Sequence, residues 1–171
     1  MRRYTDTPSI SILVPIYNVE KYLRQCLDSL QAQTFSNYEV ICINDGSTDG
    51  SRQIVQEYLD KDERFMVIDK PNSGYGSSMN QGLKKARGKY IAILESDDFF
   101  EPFALEILHR TAEKYEAQAV KADFWLYWSQ PKEKKEAFGI ITKKMANRLV
   151  NPQVEHDIFY KKPSIWSGLY K

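Results

Sequence analysis

Glu95-Ser96-Asp97-Asp98 sets three carboxylates within four residues, at the point where the apolar run Tyr90-Ile91-Ala92-Ile93-Leu94 gives way to polar sequence. Carboxylates this close repel one another and raise their own pKa values unless a cation sits between them. Hard oxygen donors of this kind suit Mg²⁺ or Mn²⁺, and an ion held by one or two carboxylates completes its shell with phosphate oxygens and water. Asp97 and Asp98 are therefore candidate metal ligands, and a nucleoside diphosphate is a ligand that would fit. The plainer alternative is that both aspartates cap the following segment and stay hydrated.

Two further segments join this chemistry. Tyr38-Glu39-Val40-Ile41-Cys42-Ile43-Asn44-Asp45-Gly46-Ser47 also ends an apolar run in polar residues. Asp45 there could accept a hydrogen bond from the N3–H of a pyrimidine, with Pro15, Ile16 and Tyr17 as a flat apolar wall against the base. The loop from Asn72 to Asn80 carries Gly74 and Gly76 and reads two ways. It is an ordinary connection whose glycines relieve strain, or one whose main chain approaches a sugar phosphate closely. It lacks the ordered lysine and hydroxyl of a phosphate loop, which disfavours a nucleoside triphosphatase.

The elements that must position these groups follow from periodicity. Ile10 to Ile16 is the first apolar strand, and Asn18 is expected to cap a helix of about three turns whose Val19, Tyr22, Leu23, Cys26, Leu27 and Leu30 recur at helical spacing. Gln33-Thr34-Phe35-Ser36-Asn37 breaks that pattern and returns the chain to the second strand, a right-handed β-α-β unit with parallel pairing. Ser47, Thr48 or Asp49 is expected to cap a second helix carrying Ile54, Val55, Tyr58 and Leu59, followed by a short strand at 65–68. A third helix carries Met79, Leu83 and Ala86, with Gly88 as its C-cap, and the fourth strand delivers the acidic turn. Pro102 suits the first turn of a helix with Leu105, Leu108, Ala112 and Tyr115 on one face. Ala119 to Trp128 reads as one strand and Pro131 to Glu136 as a solvated charged loop. The expected fold class is α/β, a mostly parallel central sheet flanked by helices. Ligands of such sheets bind at the carboxyl ends of the strands.

Composition narrows the class. A chain of 171 residues suits one domain with a full core. Lys plus Arg number 24 against 23 Asp plus Glu, a net charge of +1, so no overall field draws it to nucleic acid. Cys26 and Cys42 are expected to be buried thiols of a reducing compartment. No apolar run reaches the roughly 18 residues of a membrane span, and the start does not read as a signal peptide. The expected location is cytoplasmic. His109 and His156 read as surface or packing residues, and the aromatics Trp125, Tyr127, Trp128 and Trp166 either as an acceptor site or as sheet surface.

With these residues in view the chain resembles the family 2 glycosyltransferases, whose nucleotide-diphospho-sugar transferase domain has the GT-A fold. The resemblance rests on Val14-Pro15-Ile16-Tyr17-Asn18 with Glu20, Asn44-Asp45-Gly46-Ser47-Thr48-Asp49, Asn72-Ser73-Gly74 with Asn80, and Glu95-Ser96-Asp97-Asp98. It implies an inverting transfer of sugar from a nucleotide diphosphate donor, usually UDP-linked, to an acceptor hydroxyl on a carbohydrate or lipid-linked molecule. Cell-surface polysaccharide or glycoconjugate synthesis is the implied setting. Carried over by position, Pro15, Tyr17 and Glu20 line the nucleoside pocket and Asp45 reads the base. Asp97 binds the metal and the ribose side of the diphosphate, with Asp98 in support. Asn18, Gly46, Ser47, Asn72, Gly74, Asn80, Glu95 and Ser96 complete the implied donor-binding set. Glu95 stands where many relatives have aspartate, and Met79 where arginine is frequent.

Inversion by direct displacement needs a general base near the acceptor hydroxyl. The resemblance puts that residue downstream of a segment like Trp166-Ser167-Gly168-Leu169-Tyr170-Lys171. The expectation is thus one donor-binding domain over 1–171, truncated at its C-terminus, without the acceptor part and the base. Peripheral association with the inner face of the membrane, through that missing part, stays open. Glu155 and Asp157 are the late acids in the chain, and neither matches the family position. Two other readings keep the fold: a sugar-phosphate nucleotidyltransferase, which would want a glycine-rich basic loop after the first strand, and an inactive sugar-nucleotide-binding module.

Overall fold

The computed structural model describes residues 7–139, 141–155 and 167–171. Its chain order is β1 (Ile10–Ile16), α1 (Glu20–Gln31), β2 (Tyr38–Asp45), α2 (Ser51–Leu59), β3 (Phe65–Lys70), α3 (Tyr75–Lys85), β4 (Tyr90–Ile93) and α4 (Ala104–Tyr115). Four shorter strands follow: β5 (Ala119–Lys121), β6 (Phe124–Trp128), β7 (Lys134–Phe138) and β8 (Gly168–Tyr170). The main sheet runs β3-β2-β1-β4-β8-β5, with β1 to β4 parallel and β8 antiparallel to both of its neighbours. β6 and β7 form a separate antiparallel pair. This is the expected α/β architecture with a mostly parallel sheet.

Alternation along β1 decides which helix covers which face. Ile10, Ile12, Val14 and Ile16 pack into one core with Leu23, Cys26, Leu27 and Leu30 of α1, Ile54 and Val55 of α2, and Leu105 and Leu108 of α4. Leu13 points to the other face and meets Ile41, Ile43 and Met79 beneath α3. Successive strand side chains alternate faces, so one apolar run serves both layers. Gln33 fixes the end of α1 to the start of α4: its amide donates to the Ser29 and Glu101 carbonyls, and its oxygen accepts from Leu105 N–H.

At the amino ends of the strands, Ser11 Oγ donates to buried Glu39, which also accepts from the backbone and guanidinium of Arg87. This network closes the edge opposite the site. Both cysteines are buried, and burial pushes Cys42 up to about 12. His109 packs between the Phe35 and Tyr90 rings, as a packing residue would. Among the described residues no helix is long and apolar enough to cross a membrane.

Several local expectations are corrected. Asn18 does not cap α1: Val19 occupies that position, and Asn18 takes a left-handed φ of 50° with its side chain turned to the neighbouring loop. Tyr22, placed on the apolar face by its spacing, is exposed. Gly88 is not a helix cap, since α3 ends at Lys85 with Ala86 next. A Cβ at Gly88 would lie 2.5 Å from Ser11 N, so close backbone approach explains that glycine. Pro102 lies ahead of α4 rather than in its first turn, and Phe103 takes the N-cap position. Ala119–Trp128 is two strands, β5 and β6, in different sheets. The charged stretch 131–136 is partly β7, because pairing with β6 imposes a strand on residues with no apolar alternation.

Candidate active site

Register sets the stage. β1 pairs with β2 from Ile10–Tyr38 to Ile16–Asn44, but its pairing with β4 stops at Leu13–Ile93. Leu13 O accepts from Leu94 N–H on the β4 side, and Pro15, two residues on, faces the same way. β4 has left by then, so the missing proline N–H costs no ladder bond. The chain from β1 goes outward through β2 and β3 on one side while β4 lies on the other, so the order reverses between β1 and β4. Such a switch point leaves a crevice at the carboxyl ends of the strands.

One wall of the crevice is made by two helix starts that cap each other. Glu20 N–H donates to Asp49 Oδ2 at 3.1 Å, and Gly50 N–H donates to Glu20 Oε2 at 2.5 Å. Asn18 Oδ1 accepts from Thr48 N–H at 2.8 Å, while Ser47 Oγ accepts from Asn18 N–H and Ser51 Oγ from Val19 N–H. Asp49 also accepts from Ser51 N–H, but the N-cap position of α2 belongs to Gly50, so none of Ser47, Thr48 and Asp49 is the cap expected there, and Asp49 acts from one residue further out. Burial opposes ionisation of Asp49, but these donors outweigh it and hold the carboxyl below its usual range. The first turns of α1 and α2 thus obtain acceptors for their orphan N–H groups from one another.

The loop after β3 is organised by Asp45. Its Oδ1 accepts from the Lys70 ammonium and from Ser73 N–H, and its Oδ2 from Gly74 N–H at 2.9 Å. Asp45 is 5% exposed, so these partners occupy a carboxylate with little remaining access. Burial pushes its pKa up, but the Lys70 and backbone donors more than offset that, leaving it below the usual value. Gly46 has φ +71°, and a Cβ there would meet Asn72 N at 2.8 Å, so the two motifs touch through a position open only to glycine.

The acidic turn closes the other side. Asp98 N–H donates to Glu95 O at 3.0 Å, forming the turn, and Cys26 Sγ approaches the same carbonyl at 3.7 Å. Tyr75, the first residue of α3, donates its hydroxyl to Glu95 Oε1 at 2.7 Å. Asp97 is exposed and Asp98 half-buried. Burial first, then the charges of Asp97 and Glu95, raise Asp98 to about 6. That is the crowding a divalent cation relieves. Among the described residues no three acidic, histidine or cysteine side chains converge as a complete metal cage. Asp97 and Asp98 are oxygen donors of the kind that would hold Mg²⁺ or Mn²⁺ together with phosphate and water.

These walls enclose a cleft of about 620 Å³ lined by Tyr17, Asn18, Val19, Glu20, Lys21, Tyr22, Asp49, Ser96 and Asp97. Tyr17 is 53% exposed and presents its ring there. The structure thus brings together Tyr17, Asn18, Glu20, Ser96 and Asp97 of the expected set. Pro15, Asp45, Gly46, Ser47, Asn72, Gly74, Asn80, Glu95 and Asp98 are not among the lining residues. Most of these shape the walls through the contacts above; Asn80 is exposed on α3, beside the core residue Met79. Val19, Lys21, Tyr22 and Asp49 line the cleft without having been expected there. Asp49 had a signal as a cap, whereas Lys21 had none. Of the late acids, Glu155 is paired with Arg148 at the chain surface, and Asp157 and Trp166 lie outside the described residues, as does His156.

A mostly parallel sheet with a cleft at its switch point, acidic on one side and aromatic on the other, defines an α/β domain whose candidate site lies at the carboxyl ends of its strands. The family model for "Glycosyl transferase family 2" matches residues 11–163, and the chain belongs to that family. It is 49% identical over 107 residues to the putative glycosyltransferase EpsH of Bacillus subtilis, covering 63% of this chain and 31% of that protein. It is 35% identical over 169 residues to the uncharacterized glycosyltransferase EpsJ of the same organism, covering 96% of this chain and 48% of that protein. The crystal structure of Staphylococcus aureus TarS 1–349 in complex with UDP-GlcNAc superposes with a TM-score of 0.62 at 33% identity, over 64% of this chain and 32% of that one. The chain thus spans half or less of the length of these relatives.

Proposed function

We propose that this domain binds a UDP-linked sugar and presents it for inverting transfer to an acceptor hydroxyl on a carbohydrate or lipid-linked molecule. The observation that carries the reading is the convergence of Tyr17, Glu20 and Asp97 on one cleft at the β1/β4 switch point. The bound UDP-GlcNAc of TarS supports the donor class.

In this reading the Tyr17 ring packs against the base, and Asp45, Gly46 and Ser47 hold the loop beside it. Asp97, with Asp98, holds Mg²⁺ or Mn²⁺, and the ion would offset charge growing on the departing diphosphate. The chain's own part is to bind and orient the donor. No described acid is assigned to proton removal: Glu155 is engaged by Arg148, and Asp123 accepts from Ile141 N–H. A role in cell-surface polysaccharide or glycoconjugate synthesis belongs to the same reading, at the cytoplasmic face of the membrane.

Calorimetric titration with UDP in Mn²⁺ tests it. Metal-dependent binding is expected from the parent and its loss from Asp97→Ala; a parent that binds no UDP with Mn²⁺ present would remove the proposal.

A further inference from the structure

The β6–β7 pair stands outside the main sheet, yet one of its faces is anchored on the acidic turn. Tyr127 packs its ring edge-on against Phe99, with centroids 5.2 Å apart and planes at 87°. Phe99 directly follows Asp98 in the chain. Lys135, opposite Tyr127 in the register, forms an ion pair with Glu101. Both anchors come from residues on one face of the pair and both land just after Asp97-Asp98.

Strand alternation puts Trp125 on the same face as Tyr127. Lys135 Nζ lies 4.9 Å from the Trp125 ring centroid, so the cation that is tied to Glu101 also braces the indole. Trp125 nevertheless remains 49% exposed. Trp128, 41% exposed and under Lys134, belongs to the opposite face. A large aromatic left open by a two-stranded pair, while its neighbours are tied down, is a fixed platform rather than unfinished core.

We infer that the Trp125 indole, held by Lys135 and by the Tyr127–Phe99 contact beside the acidic turn, is a stacking subsite for a sugar ring of the acceptor. This rests on the donor-site reading above. A pyranose presents a face of weakly positive C–H groups, which suits the negative face of an indole and leaves its hydroxyls in water. Continuity with the turn explains why the occupant is the acceptor: the sugar receiving the transfer has to reach the donor from ground adjoining Asp97. An anionic lipid surface is the competing occupant of a Trp–Lys face. It is disfavoured because this face is anchored next to Glu95, Asp97 and Asp98, whose charge such a surface repels.

The test follows the indole N–H resonances of the full chain during titration with chitohexaose, cellohexaose and maltohexaose, with calorimetry of UDP and Mn²⁺ on the same samples. A saccharide should shift the Trp125 resonance. Trp125→Ala should weaken saccharide binding about three- to tenfold, the loss of one aromatic stacking contact. Trp128→Ala should leave it unchanged, and UDP binding should survive both substitutions. The inference is overturned if none of the three saccharides perturbs Trp125, or if Trp128→Ala weakens binding as much as Trp125→Ala. Binding of vesicles with phosphatidylserine that depends on Trp125, without saccharide binding, would also overturn it in favour of a lipid surface. Loss of UDP binding by the parent chain would instead count against the donor reading.

Discussion

Lys70 and Asp45 stand opposite each other at the ends of β3 and β2, and the Lys70 ammonium donates to Asp45 Oδ1 where neither side chain has appreciable solvent access. The remaining capacity of Asp45 goes to Ser73 and Gly74 N–H, so one carboxylate joins two strand ends to the following loop. Removing the cation leaves a buried, uncompensated charge. Lys70→Met should therefore destabilise the domain by about 3–5 kcal/mol. Urea denaturation checks this, and the double variant with Asp45→Asn should lose clearly less than the two single losses combined. Strict additivity would mean that the pair is not coupled.

The same carboxylate gives a pH dependence. Its folded pKa lies below the ordinary aspartate value, so between those two values the unfolded chain binds more protons than the native one. The contribution is fully present above the unfolded value of about 3.9 and is lost as pH falls through the folded one. Asp45→Asn should flatten the acid limb of a stability profile below about pH 4 and leave its shape unchanged near neutrality. Urea midpoints collected from pH 3 to 7 for both proteins decide it; parallel acid limbs would contradict the assignment.

Glu20 and Asp49 cap each other's helices, and this reciprocity predicts a coupling that neither residue shows alone. Each truncation to alanine should cost about 0.5–2 kcal/mol, the usual range for losing a helix cap. Because each carboxylate serves the other's segment, the double variant should cost less than the sum, by about 0.5 kcal/mol or more. Both residues also line the cleft, so UDP affinity should fall in either variant. A double-mutant cycle by thermal denaturation, paired with calorimetry, tests the two effects separately.

What the amino-acid sequence made legible has a physical pattern. β1, β2 and β4 were readable because buried parallel strands need near-continuous apolar runs, and the switch from apolar to acidic residues marks where they reach solvent. The acidic turn and the β1 and β2 loops were readable for the same reason. Reciprocal capping was not, because Asn18 and Glu20 are satisfied by residues some thirty positions away, at Thr48 and Gly50. Local pattern offered Asn18 as a cap, but tertiary pairing gave its side chain to Thr48.

β7 was illegible for a different cause. Lys134-Lys135-Glu136-Ala137-Phe138 is exposed along nearly its whole length, so no buried face writes a period of two into it. Its strand character comes from pairing with β6, and its placement from Lys135 with Glu101. Tyr22 erred in the other direction: helical spacing gave it an apolar position, yet it sits at the cleft mouth where the crevice interrupts the core. Sequence periodicity reports burial, and a binding cleft is where burial is withheld.

Gly46 and Gly74 lend themselves to a paired test, because both have positive φ but only one is crowded. Gly74, at φ 86° and ψ 164°, lies in a region essentially closed to other residues, yet a Cβ there would meet nothing within 4 Å. Gly74→Ala should cost only the backbone strain, about 1–3 kcal/mol. At Gly46 the Cβ would also press on Asn72 N at 2.8 Å, a backbone atom that cannot rotate away. Moving Asn72 displaces the start of the loop whose Ser73 and Gly74 N–H groups bind Asp45. Gly46→Ala should therefore be the more destabilising of the two, and it should weaken the Asp45 contacts as well. Protection of the Ser73 and Gly74 amides against hydrogen exchange reads this directly: it should drop in Gly46→Ala beyond what the global loss of stability accounts for. Equal destabilisation by the two substitutions would show that strain alone, without the contact to Asn72, governs the joint.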